Sequence, residues 1–173
     1  MSSSLRKLPD TELEVFVHGA LCVSYSGQCY ASQHCFGRSA NRGACAQFCR
    51  LAFNLVDSDG EMIGKERHFL SLKDMNRSDA LEEMLDAGVT SLKIEGRLKD
   101  ASYVKNITAY YRAKLDAIFA RRKEYVRASQ GKTSPQFTPS PEKSFNRGFT
   151  DYMLHGTKDD MTSFDTPKSK GEY

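Results

Sequence analysis

The sequence predicts an α/β protein with a parallel sheet and a long cysteine-rich loop. Three observations indicate this class. Strand-like and helix-like stretches alternate along the first 127 residues, which is typical of parallel strand pairing. All five cysteines lie between Cys22 and Cys49, in a segment that has neither helical nor strand periodicity. Charged side chains gather on one face of the predicted strands, and α/β folds place their functional sites at strand ends.

Composition indicates one soluble, folded domain. The 173 residues carry 25 Lys and Arg against 22 Asp and Glu, with 39% hydrophobic residues. Ten Phe and eight Tyr are too many for a disordered chain. No apolar run approaches the roughly 20 residues that span a bilayer, and the first ten residues lack the apolar stretch of a signal peptide. We therefore expect a cytoplasmic protein with no membrane partner.

The predicted strands in the first half of the chain follow from alternation. Residues 13–18 place Leu13, Val15 and Val17 on one face, and Gly19 ends the strand. A short strand at 54–57 leads into a turn at 57–60, and a core strand is predicted at 69–73. Residues 22–50 between them form the long loop, and ordered loops of that length usually carry function.

Two helices and one strand are predicted in the second half. A helix over 78–87 has a capping residue in Ser78 and a stop in Gly88. Residues 91–95 form a third core strand. A longer helix over 101–125 has apolar residues at spacings of three and four, among them Ile107 and Tyr111.

The chain is predicted to divide into three parts. Residues 1–127 form the folded unit, residues 128–155 form a linker with an aromatic docking segment, and residues 156–173 form a disordered tail. About three core strands are visible, which is too few for a closed barrel. We therefore expect a missing half of the sheet or a complementing chain.

Four cysteines predict a metal centre. Cys22, Cys29, Cys45 and Cys49 form two pairs that a loop can fold around one ion. Four thiolates suit tetrahedral zinc or an iron-sulfur cluster, and the spacing leaves that choice open. Cys35 is the odd thiol. The alternative, five unligated cysteines in one loop, is less typical because free thiols usually occur singly in a core.

Charged residues on the strand faces are candidates for catalysis. Glu14, His18, Lys93 and Glu95 all lie opposite the aliphatic residues of their strands. Their alternative is a set of structural ion pairs, since such networks also occur without catalysis.

The long helix and its flanks are basic. Residues 97–127 contain nine Lys and Arg against three Asp and Glu, interleaved with tyrosines. This pattern is compatible with phosphate contacts and base stacking, which predicts RNA contacts from Arg112, Lys114, Arg121 and Arg122. A solvated helix face with core tyrosines explains the pattern equally well.

Several motifs resemble peptidase family U32, the collagenase-like peptidases. Residues 14–32 read Glu-Val-Phe-Val-His-Gly-Ala-Leu-Cys and then Val-Ser-Tyr-Ser-Gly-Gln-Cys-Tyr-Ala-Ser, and resemble the family signature except at Ala31, where a larger aliphatic residue is usual. Residues 91–97, Ser-Leu-Lys-Ile-Glu-Gly-Arg, and 103–112 are similar to a second family block. Residues 41–50 and 145–149 complete a resemblance that covers most of 12–155.

The resemblance implies a partial TIM-barrel-like parallel β/α domain, of which this chain is the C-terminal half. Family members were named for collagen degradation, but others are iron-sulfur proteins that hydroxylate RNA bases or the ubiquinone ring without oxygen. The chain is most similar to the branch that hydroxylates a cytidine of ribosomal RNA, with prephenate implicated as donor. The resemblance implies that the four paired cysteines hold a 4Fe-4S cluster, and it adds Arg97 to the catalytic candidates.

The expected function is therefore oxygen-independent, iron-sulfur-dependent hydroxylation of an RNA base by a U32 enzyme, with RNA and not DNA as partner. Two alternatives stay open: a collagenase-like peptidase, and a non-catalytic RNA-binding fragment stabilised by zinc. The sequence contains neither a His-Glu-x-x-His nor a Gly-x-Ser-x-Gly motif. Four thiolates also leave zinc no open position for hydrolysis, so a peptidase is less well supported.

Overall fold

The computed structural model describes residues 11–128, 130–132, 134–155, 161–162, 164–165 and 171. Within these ranges the chain forms six strands and three α-helices. In chain order they are β1 (Glu14–Gly19), α1 (Ala31–Phe36), β2 (Phe53–Val56), β3 (Met62–Arg67), β4 (Asp74–Asn76), α2 (Leu81–Asp86), β5 (Ser91–Ile94), α3 (Ala101–Arg121) and β6 (Phe149–Thr150). Short 3-10 turns lie at Ala40–Arg42, Phe48–Arg50, Ser78–Ala80 and Pro141–Lys143.

The main sheet is mixed, with the strand order β5-β1-β4-β6. β1 runs parallel to β5, where Val15 lies opposite Leu92, and antiparallel to β4, where His18 lies opposite Asn76. β4 is parallel to β6. Parallel pairing is therefore confirmed for β1 and β5. In the described part of the chain the sheet keeps two edges, β5 and β6, so it does not close into a barrel.

The core strand predicted at 69–73 is displaced. The Ser71 N–H donates to the carbonyl of His68 over 3.0 Å, so this stretch begins with a turn. Strand pairing with β1 starts only at β4 and is antiparallel. The cause is non-local, because the Asp74 N–H donates to the carbonyl of Gly148, 2.9 Å away in the chain's distant aromatic segment.

A separate antiparallel hairpin, β2–β3, follows the cysteine segment. The predicted strand at 54–57 and the turn after it are confirmed within one residue. Asp57 organises that turn, since its Oδ1 accepts the N–H groups of Asp59 and Glu61 over 2.9 Å each. β3 was not predicted, because its exposed Met62 and Ile63 break the alternation expected of a half-buried strand.

The core lies between the sheet and helices α2 and α3. Val17, Leu81, Met84 and Ile107 are completely buried there, and each such side chain contributes about 1.5–3 kcal/mol of hydrophobic stabilisation. α3 begins where Asp100 Oδ1 accepts the Tyr103 N–H over 2.7 Å. The predicted stripe of α3 is confirmed at Ile107, Tyr111 and Ile118, which are buried, but its first predicted member, Val104, is 48% exposed. The helix also ends four residues earlier than expected, at Arg121.

α2 forms where it was predicted, but Ser78 does not cap it. Ser78 lies in a 3-10 turn, where its N–H donates to Asn76 Oδ1 and its hydroxyl pairs with the Tyr110 hydroxyl at 3.1 Å. Asn76 therefore accepts the first N–H of the 3-10 turn, and neither this turn nor α2 has a side-chain cap at its own N-cap residue. Gly88 adopts a left-handed conformation with φ of 90° after the last turn of α2, as predicted.

The aromatic segment 145–152 contacts the sheet through β6. Parts of the predicted tail do so as well: the His68 N–H donates to the Phe164 carbonyl over 3.0 Å, and Leu72 forms a bridge with Thr162. These described residues pack against the stretch before β4, where a disordered tail was expected. Residues 156–160, 163, 166–170 and 172–173 lie outside the described part of the chain.

Candidate metal centre and the residues around it

Four cysteines of the segment between β1 and β2 are electrostatic neighbours. Burial raises the pKa of the Cys49 thiol, Arg50 opposes this, and the charges of Cys22, Cys45 and Cys29 raise the pKa further. Cys35 is not among these influences. All five thiols are free. Cys22, Cys29 and Cys45 therefore lie within electrostatic range of Cys49, whereas Cys35 is not among the charges that act on that thiol.

The turn around Cys45 already supplies donors to its sulfur. Cys45 Sγ accepts the Gln47 N–H at 3.3 Å and lies 4.0 Å from the Ser32 hydroxyl of α1. Ser32 is fully buried, and its Oγ accepts the Ala46 N–H over 3.0 Å. Hydrogen bonds to sulfur help to set the potential of iron-sulfur centres.

The four thiols do not converge on a single point. Among the described residues, no group of three or more His, Cys, Asp or Glu side chains is arranged closely enough to hold a metal ion. The donor set nevertheless suits a four-thiolate centre by its chemistry, because it offers four free, neighbouring thiols and a backbone donor to one sulfur.

Arginines surround the thiols. Arg50 lowers the pKa of Cys49, and Cys49 in turn acts on the buried Arg147. The pKa of Arg97 is raised by its hydrogen bond to Glu95 and, to a smaller extent, by Cys45. Positive charge favours the thiolate, which is the form that binds metal, so Arg50 offsets part of the burial that raises the pKa of Cys49.

A buried polar group lies beside these arginines. Asp74 and Arg147 are 2% and 6% exposed, and Asp74 Oδ1 lies 3.6 Å from Arg147 Nη1. Burial raises the pKa of Asp74 against the opposing charges of Arg147 and Lys99. Burial also lowers the pKa of Lys99 to about 8, although Asp74 opposes that shift. The Lys99 ammonium lies 3.4 Å from the centroid of the Phe145 ring.

Sequence patterns did not single out Arg50, Asp74, Lys99 or Arg147 as site residues. Their proximity depends on contacts between segments about 70 residues apart, such as the bond from the Arg147 N–H to Asp74 Oδ2 over 3.2 Å. The one available signal was the position of Arg50 directly after Cys49.

The five predicted catalytic residues do not form one cluster in the structure. Glu14, at the start of β1, accepts hydrogen bonds from Lys93 at 2.7 Å and from Ser91 at 3.0 Å, and the Glu14–Lys93 pair is about half exposed. Glu95 follows the other end of β5 and pairs with Arg97 at 3.0 Å. The structure therefore joins four of these residues in two ion pairs, Glu14–Lys93 and Glu95–Arg97, and the charge of Lys93 also acts on Glu95.

His18 is enclosed in the core. It is 2% exposed, its Nδ1 lies 3.2 Å from the Tyr111 hydroxyl, and the rings of Tyr103 and Phe149 lie within about 6 Å. Burial lowers its pKa to about 4, with Glu142 opposing. The imidazole is therefore neutral at pH 7 and is shielded from a substrate, which indicates a packing role.

Next to His18, the chain turns sharply beneath Glu95. Gly19 has φ of 113°, and a Cβ there would lie 2.4 Å from the Glu95 carbonyl oxygen. The Glu95 N–H donates to the His18 carbonyl over 2.8 Å. Only glycine allows β1 and the end of β5 to approach this closely.

The four predicted RNA-binding residues of the α3 region all form ion pairs within the chain. Arg112 pairs with Asp116 at 2.6 Å, within α3 itself. The other three reach α2 and the turn before it: Lys114 pairs with Asp79 at 2.8 Å, Arg121 with Glu82 at 2.5 Å, and Arg122 with Glu82 and Asp86 at 2.7 and 2.8 Å. The positive charge of this face is therefore largely compensated by neighbouring carboxylates.

None of the described helices combines the length and the apolar character that a membrane span requires.

Comparisons with known proteins identify relatives of two kinds. The chain is 52% identical over 168 residues to the 23S rRNA 5-hydroxycytidine C2501 synthase of Escherichia coli strain K12, a match to 97% of this chain. It is 38% identical to the tRNA hydroxylation protein P1 of Bacillus subtilis over 70% of this chain. A collagenase of Porphyromonas gingivalis is 39% identical over 84% of this chain. No solved structure matches significantly.

The matched region is a minor part of each relative. It covers 26% of the Escherichia coli protein, 30% of the Bacillus subtilis protein and 39% of the collagenase. The family model described as Peptidase family U32 matches residues 3–163. This range includes Cys22, Cys29, Cys45 and Cys49 and the arginines that act on them, Arg50, Arg97 and Arg147. The chain therefore belongs to peptidase family U32.

Proposed function

We propose that this chain is the part of an RNA-hydroxylating U32 enzyme that holds a 4Fe-4S cluster. The observation that carries this proposal is its 52% identity, over nearly the whole chain, to a ribosomal RNA 5-hydroxycytidine synthase. The substrate is accordingly a cytidine of ribosomal RNA. The tRNA hydroxylation proteins among the relatives support a family chemistry directed at RNA bases.

Cys22, Cys29, Cys45 and Cys49 would hold the cluster, and when bound it supplies one-electron transfer. The chain's own contribution is electrostatic. Arg50, Arg97 and Arg147 lie within the influence of the thiols and compensate the negative charge of four thiolates. The half-buried Lys99 adds a further positive charge to these three arginines. Because prephenate carries carboxylates, it is a suitable co-substrate beside this group of cationic side chains.

A comparison in cells tests this function. RNA from cells without the gene should lack one hydroxylated cytidine, seen as a mass loss of about one oxygen. The wild-type gene should restore the oxygen, whereas Cys45→Ser should not, because serine is a poor iron ligand in place of a thiolate. Cys35→Ser is the matched control and should restore the modification, since Cys35 lies outside the group. Restoration by Cys45→Ser would overturn the proposal.

Metal analysis tests the cofactor separately. Protein purified without oxygen should be brown and contain about four irons per chain. Colourless protein with one stoichiometric zinc would instead support the zinc-stabilised RNA-binding fragment.

A peptidase is the second candidate, because collagenases are among the relatives. Cleavage of collagen by cluster-free protein would favour it over hydroxylation.

A further inference from the structure

The guanidinium of Arg50 touches both ends of the cysteine segment. Arg50 directly follows Cys49, and its Nη2 donates to the carbonyl of Leu21 over 2.6 Å. Leu21 directly precedes Cys22. One side chain therefore joins the residue after the last cysteine of the group to the residue before the first.

The same guanidinium is fastened to the stretch that leads into β4. Its Nη1 donates to the Leu72 carbonyl over 2.6 Å and to Ser71 Oγ over 3.0 Å. Ser71 is 1% exposed and Leu72 is 8% exposed, so both acceptors belong to buried residues. The Arg50 carbonyl is held as well, at 3.0 Å from His68 Nδ1.

The hydrogen bonds of Arg50 can offset the entropic cost of holding the two ends of the cysteine segment together. Bringing two thiols together across a long stretch of chain has an entropic cost that grows with its length. Hydrogen bonds from a charged donor are stronger than neutral ones, and the planar fork of arginine can reach acceptors in two directions at once, which a lysine ammonium does not reproduce.

We infer that Arg50 is a positioning residue that holds Cys22 next to Cys49 before any metal binds. The inference rests on the proposed function in one respect, that these two thiols belong to one ligand set. Its geometric content is independent of the metal, so the two can be tested apart.

Arg38 provides a matched control within the same segment. Its Nη2 donates to the Cys45 carbonyl over 3.4 Å, so it also binds the cysteine segment by a backbone oxygen. It does not connect the two ends of the segment. Arg38→Lys therefore keeps the positive charge and removes a comparable guanidinium without affecting the fastening.

The first measurement uses metal-free protein in which Cys29, Cys35 and Cys45 are replaced by serine. The equilibrium between the remaining thiols and a glutathione buffer gives the effective concentration of Cys22 relative to Cys49. We expect Arg50→Lys to reduce this effective concentration at least about tenfold, the usual effect of losing a charged hydrogen bond. Arg38→Lys should leave it unchanged.

The second measurement keeps all five cysteines and titrates the protein with Co²⁺, whose thiolate charge-transfer absorption reports coordination by sulfur. Arg50→Lys should weaken Co²⁺ binding at least about tenfold, with a melting temperature of the metal-free protein close to that of wild type. This measurement also covers the case in which the triple serine variant does not fold.

Each outcome decides the matter. A loss of effective concentration in Arg50→Lys alone supports the inference, and an equal loss in Arg38→Lys overturns it because the segment would then be loosened generally. Unchanged thiol proximity and unchanged Co²⁺ affinity in Arg50→Lys also overturn it. If wild-type protein shows no Co²⁺–thiolate absorption while Arg50→Lys still separates the two thiols, the positioning role stands and the proposed metal function fails.

Discussion

At His18, aromatic rings exclude water from an imidazole that lies 3.2 Å from the Tyr111 hydroxyl. Its pKa of about 4 in the folded chain lies below the value of about 6.5 expected when unfolded. The unfolded chain therefore binds the extra proton first. The stability contributed by neutral His18 is fully present above pH 6.5 and is lost as the pH falls towards 4.

This titration predicts the acid sensitivity of the fold. Unfolding free energies measured by denaturant between pH 7.5 and 4.5 should fall for wild type by on the order of 2 kcal/mol through this residue. His18→Asn should be less stable at pH 7.5 but should lose less on acidification. Parallel pH profiles for the two proteins would show that His18 is not held neutral.

Lys99 differs from His18 because it is partly buried and yet charged at pH 7. Its folded pKa of about 8 lies below the ordinary 10.5, with burial as the main cause and the charges of Arg147 and Arg50 adding to it. The protonated form is therefore disfavoured by folding. Stability should rise with pH between about 8 and 10.5 as the folded chain releases this proton.

Replacement of Lys99 should accordingly stabilise the metal-free protein. We expect Lys99→Met to raise the melting temperature at pH 7 by a few degrees, with a smaller difference at pH 10. The control is Lys105→Met, since Lys105 also lies over an aromatic ring, Phe137, but is exposed. A lower melting temperature for Lys99→Met at pH 7 would show that the contact with Phe145 outweighs the cost of burial.

At the scale of elements, the pairs between α3 and α2 decide what the basic helix can do. Arg121 and Arg122 share Glu82, and Arg122 also reaches Asp86. A guanidinium that stays paired with carboxylates neutralises little phosphate charge, so few of the counterions condensed on the RNA are released. The predicted RNA contacts of these arginines would therefore require the pairs to break.

We expect the double variant Arg121→Ala, Arg122→Ala to lower the melting temperature at low salt, with a smaller effect at high salt, because exposed ion pairs are screened. The salt dependence of RNA binding should change little. Filter binding over a range of salt concentrations checks this. A clearly flatter salt dependence for the double variant than for wild type would show that these arginines contact RNA phosphates.

The elements predicted well are those whose signal is local. β1, β5 and α3 each carry a regular apolar pattern, and Asp100 caps α3 through a residue only three positions away. β4 was misplaced because three residues carry almost no periodicity and their partners come from β1 and β6. Local pattern has no access to such distant pairing.

The candidate site also contains residues that the sequence could predict and residues that it could not. The four cysteines were recognisable because they are close in sequence and one chemistry explains them all. Asp74 and Arg147 were not, because neither residue type nor spacing shows that two charged side chains 73 positions apart are buried against each other. The same reason explains why the partners of Arg121 and Arg122 could not be foreseen.

For the whole molecule, the described sheet ends in two edges, and one of them is β5 with a single neighbour, β1. An edge strand presents unpaired N–H and C=O groups to other chains. The matched relatives are much longer than this chain, and we propose that their additional residues, or a complementing chain, pair with this edge.

The 173-residue chain expressed alone should therefore associate. Analytical ultracentrifugation should show oligomers that grow with concentration, whereas the full-length Escherichia coli relative, measured in parallel, should not aggregate under the same conditions. A monomer of the isolated chain with one sharp thermal transition would contradict the open edge.

The stretch 68–72 has a further consequence because two distant parts of the chain fasten to it. Arg50 grips its carbonyl and hydroxyl oxygens from one side, while Phe164 accepts the His68 N–H and Thr162 bridges Leu72 from the other. The stretch 68–72 is therefore a shared contact of Arg50 and of residues 162 and 164. Any coupling through it is reciprocal: the factor by which metal binding at the thiols changes the attachment of residues 162 and 164 is the factor by which that attachment changes the metal affinity, so a spectroscopic probe near Phe164 would report on the cysteine segment.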